Sequence, residues 1–362
     1  MSVTLETISY EKLKEGLTFD NDKYSVLSYQ YKTRREALLA NPFLDDYSMD
    51  YMLIGTADGI IIGRDTRFPI KFKVDDNILD AFSGTSFFVM EEYRKDPIGA
   101  EMFLYKLRNK SYVVSIASGL SDMAIPFHKK TKRTVFFFPK FWQIRRSRSF
   151  FQKLGIKGPL LSIFTFLFDI PIKIFKSWQL NGTTKMIKDY SVEKVSIVPR
   201  WVEDVVMNDG HKYMELHDQK WLQWNLDYNF CGGKDNYQSF YVIYHAGHPV
   251  GFFMLKHRFY DNKWRMRNVK IASVVEWGVS QGEKLTELDI IKLASKALPN
   301  DIDILELATT DKKLAQRFKH KLFLNRGEAN VSVHDIKKQY SDIKQMDLWR
   351  LRLGYADVIM AT

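Results

Sequence analysis

Apolar and polar positions along this chain group into short blocks, and most of the blocks predict strands. Tyr51 to Gly63 holds two apolar runs around Asp58-Gly59, a dipeptide that readily takes the positive φ of a tight turn, so a hairpin is expected there. Ser86 to Met90 is an aromatic and branched run suited to a central strand. After a polar turn, Ile98, Met102, Phe103 and Leu107 recur at three- and four-residue steps, the period of one helix face. A β-branched strand follows at Tyr112 to Ile116 and ends in Ala117-Ser118-Gly119-Leu120-Ser121. A short helix and a strand at Thr134 to Phe138 come next.

The same order then returns. Ser239 to Leu255 predicts a second hairpin turning at Ala246 to Pro249, with Ala246 falling 189 positions after Ala57. Ser273 to Trp277 answers the central strand, Leu288 to Leu298 the helix, and Ile302 to Leu307 the strand after it. Four elements in one order at a nearly constant offset predict an internal duplication. The fold class is therefore α/β (α+β): two tandem domains, each a mixed, mostly antiparallel sheet flanked by helices. The expected division is 1–154, a linker at 155–195, and 196–362. Residues 1–45 read as mixed strand and helix, with Arg34 to Leu39 helical.

Composition narrows the setting. A chain of 362 residues exceeds one ordinary core, and 45% hydrophobic with 27% charged residues marks it as globular. The single cysteine, Cys231, allows no intramolecular disulfide and predicts a reducing, cytoplasmic environment. The opening MSVTLETISYEKLKEG has neither the basic nor the apolar region of a secretory signal. Pro159 to Phe175 is apolar but interrupted by Asp169, Pro171 and Lys173, so it reads as too short to span a membrane. It is expected to pack between the halves as a linker; the alternative is peripheral contact with the inner face of a membrane. The net charge of +11 favours anionic partners. Between His128 and Lys157, ten lysines and arginines interleave with Phe136, Phe137, Phe138, Phe141, Trp142, Phe150 and Phe151. That pattern suits nucleic acid or a lipid headgroup layer, and equally a solvated rim over inward-facing aromatics.

The chemistry gathers at Arg94-Lys95-Asp96-Pro97-Ile98-Gly99-Ala100, between the central strand and its helix. Unpaired amides and the positive end of a helix dipole favour an anion there, and a glycine admits it closely. This turn resembles the pyrophosphate loop of the GNAT acyltransferase superfamily, Gln/Arg-x-x-Gly-x-Gly/Ala. Arg94 and Gly99 fit, whereas Pro97 replaces the middle glycine; proline lacks an amide donor but suits the first turn of a helix. His217-Asp218-Gln219-Lys220-Trp221-Leu222-Gln223-Trp224-Asn225 resembles the segment preceding the second domain's first hairpin in tandem GNAT acyltransferases of bacterial polysaccharide biosynthesis. In that segment Asn225 stands where Arg is usual; Leu348 to Asp357 resembles their closing Trp-containing strand and Asp-rich tail, with Tyr355-Ala356-Asp357 replacing a more acidic tail.

The resemblance implies direct acyl transfer from acetyl-CoA, or another acyl-CoA, to an amine or hydroxyl of a sugar or nucleotide-sugar, with the amine favoured. Coenzyme A would be held by Val89, Met90, Arg94, Lys95, Asp96, Ile98, Gly99 and Ala100, the amides near Val89 and Met90 facing the oxyanion. Glu91 or Glu92 would take the acceptor's proton, unless either is simply an anion favoured by the helix N-terminus. Ser121, with Ser118, would orient substrate or meet the leaving thiolate; as turn and cap residues both have a plainer role. The second copy, Gly278 to Glu287, lacks the loop motif, so one coenzyme A site per chain is expected. No metal site is expected: His245 and His248 sit on a turn with no third ligand nearby in sequence. Glu276 beside Trp277 reads as an acid facing a cleft or as a strand-end surface residue. Cys231 has no base partner, which disfavours an acyl-enzyme. Two further readings follow: a transferase related to the Fem peptidyltransferases, drawing on aminoacyl-tRNA, and a non-catalytic binding protein on the same fold.

Overall fold

The alternating blocks join into a single mixed sheet. The computed structural model describes residues 3–15, 32–108, 112–181, 185–228 and 236–355; Cys231, Ala356 and Asp357 lie outside them. The first half contributes β1 (Val3–Ser9), β2 (Asp50–Ala57), β3 (Ile60–Val74), β4 (Asn77–Val89), β5 (Val114–Ser118) and β6 (Thr134–Ile144). The second contributes β7 (Tyr190–Val195), β8 (Tyr213–Glu215), β9 (Tyr237–His245), β10 (His248–Lys263), β11 (Met266–Val279), β12 (Ile304–Ala308) and β13 (Leu324–Asp335). Their spatial order is β1-β2-β3-β4-β5-β13-β6-β12-β11-β10-β9-β7, with β8 paired to β3.

Both predicted hairpins form with two-residue turns. Asp58 and Gly59 take φ of 48° and 79°, Ala246 and Gly247 49° and 81°, the left-handed pair that matches the twist of the strands they join. Expectation and structure part over length: the run at Ser86 to Met90 is only the end of β4, a strand of 13 residues. The two halves also exchange strands. β6 lies hydrogen-bonded between β13 and β12, and β13 between β5 and β6, so the centre of the sheet alternates between halves.

Helices cover the sheet: α1 (Tyr10–Lys14), α2 (Lys32–Leu39), α3 (Ile98–Arg108), α4 (Ala124–Lys130), α5 (Arg148–Lys153), α6 (Gly158–Leu180), α7 (Trp201–Met207), α8 (Gln219–Asp227), α9 (Glu287–Ala297) and α10 (Lys312–His320). The periodic apolar face of α3 works as predicted, with Ile98 and Met102 fully buried beside Leu53, Ile62 and Val89. Each contributes about 1.5–3 kcal/mol of burial. A Cβ on Gly55 would come within 3.0 Å of Ile98 and Met102, so the glycine admits α3 close to the sheet. One large core crosses both halves and joins Phe72, Phe138 and Trp349 with Val275.

Two expectations fail. Residues 348–355 do not form a closing strand. They follow a 3-10 turn at Met346–Leu348 and run irregularly with one parallel bridge, Tyr213 to Trp349. Buried side chains, above all Trp349, Arg350 and Tyr355, fix the segment in place of a ladder. The apolar segment after residue 155 is not packed between the halves. It forms one 23-residue helix, α6, on the outside of the molecule, with Asp169 and Lys176 turned toward the body.

Candidate active site

Parallel β4 and β5 pair only through Ala81–Val114, Phe82–Ser115 and Ser83–Ile116. Beyond Ser83 the two strands diverge. A cavity of about 220 Å³ opens between them, lined by Gly84, Thr85 and Phe87 of β4 and by Ser118, Ser121 and His128 across the gap. After β4, a 3-10 turn at Glu91–Tyr93 leads into α3.

The strand exit determines which amides face the gap. Arg94 Nε donates to Val89 O at 3.1 Å. Because N–H and C=O of one strand residue point to the same side, Val89 N–H also faces the open edge. Met90 N–H does not, since it donates to Ile62 O at 2.8 Å within the β3 ladder. Of the two expected oxyanion donors, only Val89 keeps its amide outside the β3 ladder; neither it nor the turn from Arg94 to Ala100 is among the residues that line the cavity. At the head of α3 the first intrahelical bond runs from Glu101 N to Pro97 O at 2.9 Å. The amides of Ile98, Gly99 and Ala100 have no acceptor among the described residues, as the start of a helix requires. Pro97 precedes the first helical residue, so its missing N–H removes no helix bond. Lys95 is exposed on the same turn, and the backbone of Asp96 closes it by donating to Tyr93 O at 3.1 Å.

The structure regroups the expected catalytic residues. Glu91 and Glu92 are exposed on the 3-10 turn and do not line the cavity. Ser121 does line it, and its Oγ accepts from Ala124 N at 3.3 Å as α4 begins. Ser118 Oγ donates to Tyr355 O at 3.1 Å, tying the first half to the second. Two residues that the sequence reading did not select join them: Asp65 from β3, and His128. His128 is buried, with Nδ1 2.8 Å from Ser332 Oγ and its ring edge-on to Phe103. Its sequence neighbours Lys129 and Lys130 made it read as part of a basic rim. Its position four residues after Ala124, on a helix starting at the strand exit, was the available signal.

The second half repeats the divergence but fills it. β11 and β12 pair through Ile271–Ile304, Ala272–Leu305 and Ser273–Glu306 and then separate. Residues 350–355 occupy the gap: a Cβ on Gly354 would stand 2.7 Å from Val275 O. Arg350 Nη2 donates to Glu276 Oε1 at 2.7 Å and to Trp277 O at 2.8 Å, and Arg350 Nε lies 3.2 Å from Asp209. His217 Nδ1 also bonds Glu276, while its ring stacks on Trp221 at 3.7 Å. Burial pushes the Glu276 carboxyl up, but Arg350 and His217 outweigh it and bring the pKa down to about 2. Burial also opposes protonation of His217, and Glu215 and Glu276 reverse that by hydrogen bonding and charge, raising its pKa. Glu276 is thus neither a surface residue nor open to a cleft. At α9 the helix start is self-capped: Asp289 N donates to Thr286 Oγ1 at 3.3 Å, and Thr286 N to the Asp289 carboxylate at 3.0 Å.

A second cavity, about 400 Å³, lies over the exchanged strands and shares Gly119 and Leu120 with the first. Lys140, Arg258, Lys263 and Arg326 line it beside Trp142, Glu306 and Glu328. Burial raises the Glu306 carboxyl, but Arg258 and the Trp142 indole N–H outweigh it, holding its pKa down to about 2. Arg326 lies over the Trp142 ring at 4.5 Å. Burial, then the neighbouring Arg258, lowers the Lys263 pKa. The basic and aromatic run expected as one feature is thus divided: Lys140 and Trp142 line this cavity, Phe141 is core, and Arg145 is buried against Ser295. Among the described residues, no three His, Cys, Asp or Glu side chains are grouped to hold a metal.

No protein-family model matches the sequence, and no curated protein matches it. Solved structures do match. A conserved Enterococcus faecalis V583 protein of unknown function, described as a probable N-acyltransferase, aligns over 93% of this chain and 73% of its own, with TM-score 0.55 and 12% identity. The GCN5-related N-acetyltransferase of Anabaena variabilis ATCC 29413 covers 92% of this chain and 73% of its own at TM-score 0.53 and 9% identity. This is the GNAT fold. Saccharomyces cerevisiae N-myristoyltransferase, solved with bound myristoyl-CoA and inhibitors, shares it over 92% of this chain and 80% of its own at TM-score 0.55 and 10% identity. Such a span is consistent with two GNAT-like units in tandem, the arrangement that the repeated hairpin, strand and helix predict.

Proposed function

We propose that this protein transfers an acyl group from acyl-CoA directly to an acceptor amine, using the first of its two strand divergences. One observation carries the reading: the first divergence holds an open cavity and its strand leads into a helix with unpartnered amides, whereas the second is filled by residues 350–355 and leads to a self-capped helix. In this assignment the amides of Ile98, Gly99 and Ala100, with Arg94 and Lys95, hold the diphosphate, and the backbone of Asp96 shapes the turn. Val89 N–H donates to the thioester oxygen as the tetrahedral carbon forms. The acceptor nitrogen forms its bond to that carbon, the C–S bond breaks, and the nitrogen's proton passes to a base in the cavity. We assign that role to His128 in place of Glu91 or Glu92; the Ser121 hydroxyl donates a hydrogen bond to the departing thiolate, which takes its proton from water, and the proton held by His128 returns to solvent as the products leave.

The cationic cavity beside the site favours an acceptor bearing phosphate or carboxylate, such as a nucleotide-sugar amine. A place in polysaccharide biosynthesis rests on the resemblance of residues 217–225 and 348–357 alone. Titration calorimetry with coenzyme A, followed by thiol release from acetyl-CoA against a panel of amino-sugar nucleotides, tests the proposal. One coenzyme A per chain, weakened by Arg94→Ala, is expected; unaltered binding in that variant and in Gly99→Leu would remove the site from this loop.

A further inference from the structure

Helix α6 is amphipathic in the reverse sense for a surface helix. The positions that face the protein, Leu161, Thr165, Asp169, Ile172, Lys176 and Gln179, recur at three- and four-residue steps, and four of the six are polar. Two of these side chains and one backbone carbonyl bond the second half of the helix to the body. Asp169 accepts from Ser147 N and Oγ at 2.7 and 2.8 Å, Lys176 O accepts from Gln143 Nε2 at 3.5 Å, and Gln179 Nε2 donates to Leu322 O at 3.3 Å. The opposite face is apolar and exposed: Ile163, Phe166, Leu167, Ile170 and Ile174, with Phe166 and Ile174 each 69% accessible. Leu154 at 74% and Leu322 at 66% extend this surface at its two ends.

A stripe of this size on the outside of a protein marks a surface that is covered by something. Charge identifies the cover. Lys153, Lys157 and Lys173 are exposed around the stripe. At the far end Lys321 lies 4.1 Å over the Trp178 ring and donates to Trp178 O, while Arg317 donates to Asn181 O. Cations framing an apolar face, with a tryptophan at its edge, match the layering of a bilayer surface with acidic headgroups. With 23 residues α6 is long enough to cross a membrane, but an upright position would break the bonds of Asp169, Trp178 and Gln179 to the body.

We propose that α6 is a membrane-docking surface: it lies flat in the interfacial layer of a bilayer containing anionic lipids, outer face among the acyl chains and cations at the headgroups. The reading is independent of the acyltransfer assignment. The test is flotation of the full-length protein with vesicles of phosphatidylcholine alone and of phosphatidylcholine with phosphatidylglycerol at about 7:3. The protein is expected to float with the anionic vesicles, and more weakly with the neutral ones. The double variant Phe166→Asp/Ile174→Asp is expected to lose at least tenfold in partitioning. Both side chains are exposed, so its thermal transition should match the parent and exclude misfolding. Equal flotation of the variant, or no flotation of the parent, overturns the proposal. So does a parent dimer in sedimentation equilibrium that the double variant dissociates while vesicles leave it unbound, since the cover would then be a second copy.

Discussion

Replacing Glu276 with Gln removes one charge from the cluster that holds residues 350–355 in the second strand divergence. The carboxyl is held at about 2 against an ordinary 4.5, so its ionised form supplies roughly 3 kcal/mol of folded-state stability at neutral pH. Glutamine keeps the shape and one acceptor but leaves Arg350 to Asp209 alone. Because the folded pKa is depressed, the contribution is fully present above the unfolded pKa near 4.5 and is lost as pH falls toward 2. His217 has the opposite sign: its raised folded pKa contributes below its ordinary 6.5 and is lost as pH rises through the raised value. Urea unfolding of parent and variant should therefore show a deficit of about 3 kcal/mol at pH 7 that shrinks below pH 4.5, with unchanged slope. A deficit under about 1 kcal/mol at pH 7, or one equally large at pH 3, would refute the assignment of Glu276 as the anion neutralising Arg350.

Gly354→Ala places a methyl against the backbone oxygen of Val275 and should cost about 1–3 kcal/mol at every pH, read by the same unfolding experiment. Gly99→Leu should raise the Kd for coenzyme A about tenfold with little change in melting temperature, because even a Cβ there lies 3.5 Å from Val89 and a longer side chain covers the free amides. His128→Ala should lower kcat by about 10²- to 10⁴-fold while coenzyme A binding by calorimetry stays within about twofold. Lys263→Ala combined with Arg326→Ala should raise KM for an anionic acceptor about tenfold at low salt, with a smaller effect as ionic strength rises.

What could be read from the chain followed from local rules. The two hairpins were legible because Asp58-Gly59 and Ala246-Gly247 supply left-handed turn residues between apolar runs, and α3 because its buried positions Ile98, Met102 and Phe103 keep one helical period. The exchange of β6 and β13 was not, since nothing in Thr134–Ile144 or Leu324–Asp335 states which half will supply the hydrogen-bonding edge. Site residues divide the same way. The turn at Arg94 to Ala100 carries a local motif, but His128 and Asp65 reach the cavity from separate elements. Glu276 read as surface because its partners, His217 and Arg350, are 59 and 74 positions away. For α6, the interruptions at Asp169, Pro171 and Lys173 suggested a broken segment, whereas in space the helix runs on intact through them: Asp169 attaches it to the body, and Pro171 and Lys173 are exposed.

The exchange of strands sets a timetable for folding. On the ribosome β5 can pair with β4 at once, but its other edge, Val114 to Ser118, has no neighbour until β13 emerges. That is about 200 residues later, on the order of ten to forty seconds of synthesis. Throughout that interval an unprotected, fully buried-type strand stands open to pairing with any other nascent chain. Production of this protein should therefore be limited by how well that edge is shielded before the last strand arrives, more than by the stability of the finished sheet.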